Sequence, residues 1–455
     1  MGQALSDLAA QAPDRPALTC GATTLTRRQL DERSNALAWT LLDQGIKPGS
    51  RVALVLPNGP DFVITTIAIW KAGGTPIPIA PKMPPAEQAA ILDVAKPDLT
   101  IQSPLTAPPT TAPPPPAVPR PWKILSSGGS TGRPKLIATT ESGTLENAAL
   151  FGLAGQMQEN RTALITAPLT HNGPFMAMAS ALLFGNHVIL MERFDAAKAL
   201  ALLQHHQVDW MYAVPTMMHR IWRLEEHPPL PALRIVFHLA APIAPWLKQA
   251  WIDWLGPEKI WELYAGTESQ AATLISGTEW LEHRGSVGRP IKGEIEIRDA
   301  SGVKAPPNTT GTVWMRPTTG PTYTYLGVTP TEGWESLGDM GHMDADGYLY
   351  LTDRETDMIL VGGSNVYPAE IEAALEEHPN VRSSAVIGLP HEDLGNVPHA
   401  IVQLTAPTPD ATLLEHLASR LAAYKLPRTF ERTDTPLRDD AGKVRRSALR
   451  AARLP

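Results

Sequence analysis

The feature that most restricts this chain is the regular exchange of helical and strand-like segments along its first half. Arg27 to Gln44 carries apolar residues at helical spacing, among them Leu30, Ala36, Leu37 and Leu41. Gly45-Ile46-Lys47-Pro48-Gly49 then breaks the pattern. Arg51 to Leu56 follows as a short apolar run, closed by the turn residues Pro57-Asn58-Gly59-Pro60. Asp61 to Trp70 has helical texture again. The exchange continues through Ala163 to Ile165, Gly185 to Met191, Ala197 to His206 and Trp210 to Val214. Strands separated by helical crossovers build parallel sheet, so the spacing predicts an α/β fold.

After about Gly285 shorter strand-like segments take over: Glu294 to Ile297, Gly311 to Met315, Tyr348 to Leu351. A third section begins beyond Arg354. It reads as strand (Met358 to Val361), helix (Ala369 to Glu376), strands (Ser383 to Ile387, Ala400 to Leu404) and helix (Thr412 to Leu421). That is an α+β unit of about 100 residues, an ordinary domain size. Pro104 to Pro121 holds nine prolines in eighteen residues. It can form neither helix nor ladder, and is expected to be an exposed connector, 104–121, inside the N-terminal domain.

Composition removes several function classes. The chain has 455 residues and one cysteine, Cys20, so an intramolecular disulfide framework or a Cys-rich zinc module is excluded. The formal net charge of −7 offers no basic surface for nucleic acid. No apolar run approaches the ~20 residues needed to span a bilayer. No secretory leader is evident. Met1 to Ser6 fits the short myristoylation pattern, but no polybasic segment accompanies it. The expected location is cytoplasmic, and a homodimer is left open.

The strongest local signal is Ser126-Ser127-Gly128-Gly129-Ser130-Thr131-Gly132-Arg133-Pro134-Lys135. Glycines let backbone amides approach an anion, hydroxyls donate to it, and Lys135 adds positive charge. The Walker A spacing is absent, so this is a different phosphate cradle. Further segments are ordinary singly: Tyr264-Ala265-Gly266-Thr267-Glu268, Gly285 to Pro290, Gly338-Asp339, Thr352-Asp353-Arg354, Gly362-Gly363 and Pro436 to Arg446.

In this order and at these distances the set resembles the adenylate-forming superfamily of acyl-CoA synthetases, over nearly the whole chain. Thr170-His171-Asn172-Gly173-Pro174-Phe175, Val214-Pro215-Thr216 and Asp353 to Ile359 resemble the bile-acid-CoA-ligase-like branch. The resemblance implies a two-step reaction. A carboxylate displaces pyrophosphate from ATP, giving acyl-AMP; the small C-terminal domain then rotates, and a thiol, usually coenzyme A, displaces AMP. By that match the loop from Ser126 to Lys135 holds pyrophosphate. Thr267 contacts the α-phosphate and Glu268 binds Mg²⁺. Tyr264 stacks on adenine beside Ala241, Pro242, Ala265 and Gly266. Asp339 and Arg354 hold the ribose. Lys443 bridges the substrate carboxylate and the α-phosphate. His171 sits at an acyl pocket lined by Phe175, Met176, Met217 and Ala240. Gly362 and Gly363 border the path of the pantetheine arm. The hinge falls at Thr356, which divides the chain into 1–355 and a mobile 356–455.

Four departures from the family pattern stand out. Leu136 follows Lys135 in place of Gly. Leu239-Ala240-Ala241-Pro242 replaces Gly-Gly-Ala-Pro. Ala265 replaces the Gly of Tyr-Gly-x-Thr-Glu, and Thr356 replaces the hinge Asp or Lys. The added side chains make a second enzyme a live alternative: one that accepts ready-made acyl-AMP and performs only the thioester step. The segment from His171 to His187 contains no Asp or Glu, so a substrate ammonium finds no partner there. With Met176, Met178, Met211, Met217 and Met218 nearby, the expected substrate is a bulky apolar acid, polycyclic or terpenoid-like.

Overall fold

The computed structural model describes the whole chain except residues 109, 111, 128–133, 329–332, 355, 362–363, 440–441 and 455, and the side chains of 127 and 354. The helices read from the sequence form where the apolar spacing put them. One runs Arg27–Asp43, opened by a capping box between Thr26 and Gln29; the next runs Pro60–Lys71, with proline in its first turn. The second packs on a small parallel sheet ordered Thr75–Pro78, Arg51–Leu54, Leu99–Ile101.

The main sheet follows a path of thirteen strands. Its parallel part runs in space through Pro16–Cys20, His187–Leu190, Thr162–Ile165, Trp210–Ala213, Ile235–Leu239 and Ile260–Ala265. Thr23–Thr26 closes one edge, antiparallel to Pro16–Cys20. Beyond Ile260–Ala265 every pairing is antiparallel: Ala272–Ser276, Ser286–Lys292, Leu349–Arg354, Glu335–Met343, Gly311–Arg316, Glu294–Arg298. This is the change of texture seen near Gly285. Helical crossovers build the first part, and short connections fold back in the second.

A separate antiparallel sheet orders Tyr323–Tyr325, Lys135–Thr139 and Ile124–Ser127, so the Gly/Ser loop joins two paired strands. Residues after 356 make their own five-stranded sheet, in which Gly395–Leu404 pairs both Val381–His391 and Thr429–Arg432. The helices Pro368–Glu376 and Asp410–Ala418 pack on it. Among the described residues, no apolar cluster joins side chains from 1–351 to side chains from 359–455.

The proline-rich connector carries no helix or strand and is mostly exposed, but it is tied down. Pro114 and Pro119 are buried, and the Trp39 indole donates to the Ala112 carbonyl at 3.0 Å. Gly2, in the short acylation pattern, is buried in the helix Gly2–Gln11 against Lys71. Among the described residues no helix is long and apolar enough to cross a membrane.

Candidate active site

Four neighbouring parallel strands end on one side of the sheet, and four of the N-terminal motifs follow those ends. His171 follows Thr162–Ile165, Val214-Pro215-Thr216 follows Trp210–Ala213, Ala240-Ala241-Pro242 follows Ile235–Leu239, and Gly266-Thr267-Glu268 follows Ile260–Ala265. Ligands of open α/β sheets bind outside the carboxyl ends of the strands. The fold therefore gathers segments about 100 residues apart into one cleft edge.

The turn after Ile260–Ala265 is tight. The Ser269 amide donates to the Gly266 carbonyl at 3.1 Å, and Ser269 itself has φ +57°. A Cβ on Gly266 would lie 2.3 Å from Leu337 Cδ1, so a larger residue there requires the Leu337 side chain to move. Glu268 is 7% exposed. Its carboxylate accepts from the Tyr325 hydroxyl at 2.8 Å, and its backbone carbonyl from Thr322 at 2.7 Å. Burial, and next the Glu268 charge, push the Tyr325 phenol upward, so it stays a neutral donor. The Tyr325 ring also lies under Lys135, whose Nζ is 5.2 Å from the ring centroid. One tyrosine thus connects the phosphate loop's lysine to the carboxylate expected to hold Mg²⁺. Among the described residues no cluster of three His, Cys, Asp or Glu could cage a metal. A lone carboxylate fits Mg²⁺, which takes few protein ligands beside phosphate oxygens and water.

Tyr264 and Asp339 come together: the phenol donates to Asp339 Oδ2 at 2.7 Å. Asp339 is the register partner of Arg354 across strands Glu335–Met343 and Leu349–Arg354, so the expected ribose pair is placed side by side by sheet pairing. Thr267 and Ala241 are half-buried; Ala265, Ala240 and Pro242 are exposed. Ala240 has φ +78°, a left-handed conformation that glycine adopts without strain. The glycine expected there by family pattern has a backbone reason, and alanine carries strain in its place.

On the acyl side, His171 is half-buried at the start of the helix Asn172–Leu183. Gly173 faces Tyr212 and Leu239, and Met176 is half-buried. Phe175 and Met217 lie deeper. Phe175 is fully buried, stacked on Trp122 at 6.1 Å and edge-on to Trp70 at 5.8 Å. Met217 is 3% exposed, and its sulfur accepts from the Thr166 hydroxyl. Both belong to the main apolar core. Lys123 was not singled out in the sequence. It precedes the strand Ile124–Ser127, is 6% exposed, and donates to Asn172 Oδ1 at 2.8 Å. Burial lowers its ammonium to about 8, with Glu141 and Glu268 acting in the opposite sense.

Lys443 sits in a loop whose ends cross-bond: the Asp439 amide donates to the Lys443 carbonyl at 3.0 Å, and the Lys443 amide to Asp439 Oδ1 at 2.9 Å. Gly442, at φ +78°, packs so closely on Thr216 that a Cβ would lie 2.4 Å from its hydroxyl. The Lys443 loop is therefore seated against the end of the strand Trp210–Ala213. Thr356 lies in an exposed turn. Next to it, Asp357 receives the Arg446 guanidinium at 2.8 Å. Ser126 and Lys135 flank the phosphate loop, whereas Ser127's side chain, Gly128, Gly129, Ser130, Thr131, Gly132, Arg354's side chain, Gly362 and Gly363 lie outside the described residues.

Comparison with known proteins agrees with this arrangement. Residues 5–118 and 102–326 match the AMP-binding enzyme family, and 370–443 match the AMP-binding enzyme C-terminal domain. A 2-succinylbenzoate–CoA ligase of Bacillus licheniformis is 30% identical, over 96% of this chain and 97% of its own length. A feruloyl-CoA synthase of Amycolatopsis is 29% identical, over 97% and 96%. The structure superposes on o-succinylbenzoate CoA synthetase of Bacillus subtilis in complex with its acyl-adenylate, with a TM-score of 0.84, 25% identity, and coverage of 98% and 97%. The same synthetase with ATP and magnesium superposes at 0.82, again at 25% identity, with 98% of both chains covered. The chain belongs to the AMP-binding enzymes, the adenylate-forming superfamily, and its relatives there are acyl- and aryl-CoA ligases.

Proposed function

We propose that this chain is an ATP-dependent acid–thiol ligase that joins a carboxylic acid to coenzyme A through an acyl-AMP. The observation that carries the reading is the seating of the Lys443 loop on Thr216, at the strand ends where Thr267, Glu268 and His171 also lie. In the first step a substrate carboxylate oxygen bonds to the α-phosphorus of ATP, and the bond to pyrophosphate breaks. Lys443 neutralises charge as the crowded phosphorus centre forms, and Thr267 donates to an α-phosphate oxygen. Bound Mg²⁺ supplies charge neutralisation on the phosphates, with Glu268 as its protein ligand. Tyr264, Ala241 and Pro242 border the base, while Asp339 accepts from the ribose hydroxyls and Arg354 donates to them. In the second step the thiol sulfur bonds to the acyl carbon and AMP leaves. Gly362 and Gly363 are assigned to the thiol's approach on the resemblance alone.

The alternative, a chain that only consumes supplied acyl-AMP, is disfavoured by that same seating, since Lys443 has a role only in forming the adenylate. For the acid we favour a bulky, mainly apolar acyl group. The half-buried Met176 and the lack of any carboxylate between His171 and His187 support an apolar pocket with no site for an ammonium. The names of the relatives, 2-succinylbenzoate–CoA ligase and feruloyl-CoA synthase, support a ring-bearing acid without bearing on its polarity. A cytoplasmic, freely diffusing product is the matching expectation.

Lys443→Ala tests the reading. ATP–pyrophosphate exchange should fall by at least a hundredfold, while thioester formation from synthetic acyl-AMP and CoA is largely spared; mutagenesis of single charge-stabilising donors costs about that much. Equal loss in both half-reactions would remove the assignment.

A further inference from the structure

The second contact between the two parts of the molecule is made by a residue outside the motifs. Arg223 caps the helix Pro215–Trp222, whose first turn carries Thr216 and so meets the Lys443 loop. At the other end of that helix, about 12 Å away at 1.5 Å per residue, the Arg223 guanidinium reaches into the C-terminal part. It donates to the carbonyl oxygens of Pro379 at 2.6 Å, Val381 at 2.9 Å, Glu376 at 3.1 Å and His378 at 3.2 Å. These carbonyls belong to the last turn and exit of the helix Pro368–Glu376 and to the start of the strand Val381–His391. The final carbonyls of a helix lack intrahelical donors and carry the negative end of its dipole, so a fork-shaped cation is well suited to them.

The fork is aimed from behind. Arg223 Nε donates to His219 Nε2 at 3.1 Å. Burial, then the charges of Arg223, Arg438 and Arg220, hold His219 down to about 4, so it stays a neutral acceptor at neutral pH. The gripped helix is in turn the base of the Lys443 loop. Glu372 binds Arg446 at 2.8 Å and Arg438 at 3.3 Å, and Glu376 binds Arg438 at 3.2 Å. Arg438 and Arg446 bracket Lys443 in sequence. A continuous set of polar contacts runs from His219 through Arg223, the helix Pro368–Glu376 and its Glu372 and Glu376 to the loop that carries Lys443.

We propose that Arg223 is a positioning residue: a latch that holds the C-terminal part in the seating that delivers Lys443, and so sets the balance between the adenylating and thioester-forming half-reactions. The proposal rests on the ligase reading above. Arg223 is exposed and its acceptors are backbone carbonyls, so the latch can open without stranding a buried charge. No apolar cluster spans the same boundary among the described residues, so the grip has no hydrophobic substitute.

The test uses the full chain with Arg223→Ala and Arg223→Lys. The first readout needs no turnover. Glu87 and Arg445 pair across the boundary at 3.1 Å, with side chains 43% and 64% exposed. Cysteines at these two positions, joined by a short bifunctional maleimide, report the seating; Cys20 is buried, with its thiol pushed up to about 11, and stays silent. Arg223→Ala should slow this cross-linking about tenfold, the factor that 1.4 kcal/mol represents. The second readout is the split between half-reactions. Exchange should fall by the same factor in Arg223→Ala, with no loss of thioester formation from supplied acyl-AMP. Arg223→Lys, which keeps the charge but not the fork, should lie between. Unchanged cross-linking in Arg223→Ala overturns the latch, as does parallel loss of both half-reactions in a protein with wild-type circular dichroism. A chain with Arg223 intact and the two introduced cysteines that shows normal cross-linking and no exchange with any acid instead refutes the ligase reading, and leaves the latch to be judged on cross-linking alone.

Discussion

Removing one oxygen from Tyr325 should show how the Mg²⁺ site is held. Tyr325→Phe deletes the hydroxyl that donates to Glu268 at 2.8 Å and leaves the ring in place under Lys135, 5.2 Å away. A hydrogen bond to a charged group contributes about 1.5–3 kcal/mol. Tyr325 is only half-buried, which favours the lower end of that range. About 1.5 kcal/mol is roughly a tenfold change in an equilibrium constant. The lost bond does not remove the metal ligand; it frees the carboxylate to turn away. The expected result is a rise of about tenfold in the Mg²⁺ concentration that half-saturates ATP–pyrophosphate exchange, with exchange at saturating Mg²⁺ nearly retained. Tyr325→Leu, which also removes the ring from Lys135, should lose exchange at all Mg²⁺ concentrations. The assay is a Mg²⁺ titration at fixed ATP and acid. An unaltered Mg²⁺ dependence in Tyr325→Phe would mean that Glu268 is oriented without Tyr325, or is not the ligand.

Two further substitutions test strain and burial. Ala240 sits at φ +78°, where alanine pays roughly 1 kcal/mol that glycine does not. Ala240→Gly should therefore leave the urea midpoint unchanged or raise it, and a loss of about 1 kcal/mol, the ordinary cost of glycine in a regular element, would contradict the strain. Lys123 has its pKa lowered by burial from 10.5 to about 8. Below pH 8 both folded and unfolded chains carry the proton, so the burial penalty is fully present; it is relieved as pH rises from 8 towards 10.5, where only the unfolded chain still binds it. Lys123→Met lacks that penalty, so its stability relative to wild type should decline steadily between pH 8 and pH 10. A stability difference independent of pH, measured by denaturant unfolding, would contradict the buried-ammonium account.

The architecture was legible because its elements repeat a local rule. Arg27–Asp43 and Pro60–Lys71 are long, periodic and capped, and the parallel strands are short apolar runs between turn signals. Contiguous motifs were legible too, since backbone chemistry helps fix their residue types: Gly442, next to Lys443, sits at φ +78°, where glycine is unstrained. Side-chain roles decided by distant partners were not. Tyr325 matters because the strand Tyr323–Tyr325 pairs Lys135–Thr139 while Glu268 arrives from another sheet, 57 residues earlier in the chain. Arg223 matters because its acceptors lie more than 150 residues away. Phe175 illustrates the converse. Its apolar character suited an acyl pocket, but helical geometry turns it onto Trp70 and Trp122, and nothing in composition distinguishes pocket lining from core. Methionine at position 217 carries the same ambiguity.

The chemistry asked of such an enzyme requires one surface to serve two reactions, and the distribution of apolar burial suits that demand. Each side of the boundary near Thr356 is consolidated by its own clusters, one around Trp70, Phe175 and Phe237, another around Ile371, Val386 and Leu413. Across the boundary the contacts are of another kind: guanidinium to carbonyl at Arg223, an exposed ion pair between Glu87 and Arg445, and the Asp353 carboxylate accepting from the Ala369 amide at 2.9 Å. Burying apolar area across it would have contributed about 25 cal/mol per Å² and fixed a single seating. Polar contacts exchange for water at little net cost, so a few of them select a seating without locking it. Interfaces of this composition are the ones along which domains move. Arg438 and Arg446 on Glu372 brace the segments on either side of Lys443, while the contacts across the boundary are polar, which suits the proposed two-step reaction. Stiffness within each part and weakness between them is the physical form that a two-step ligase on one set of residues has to take.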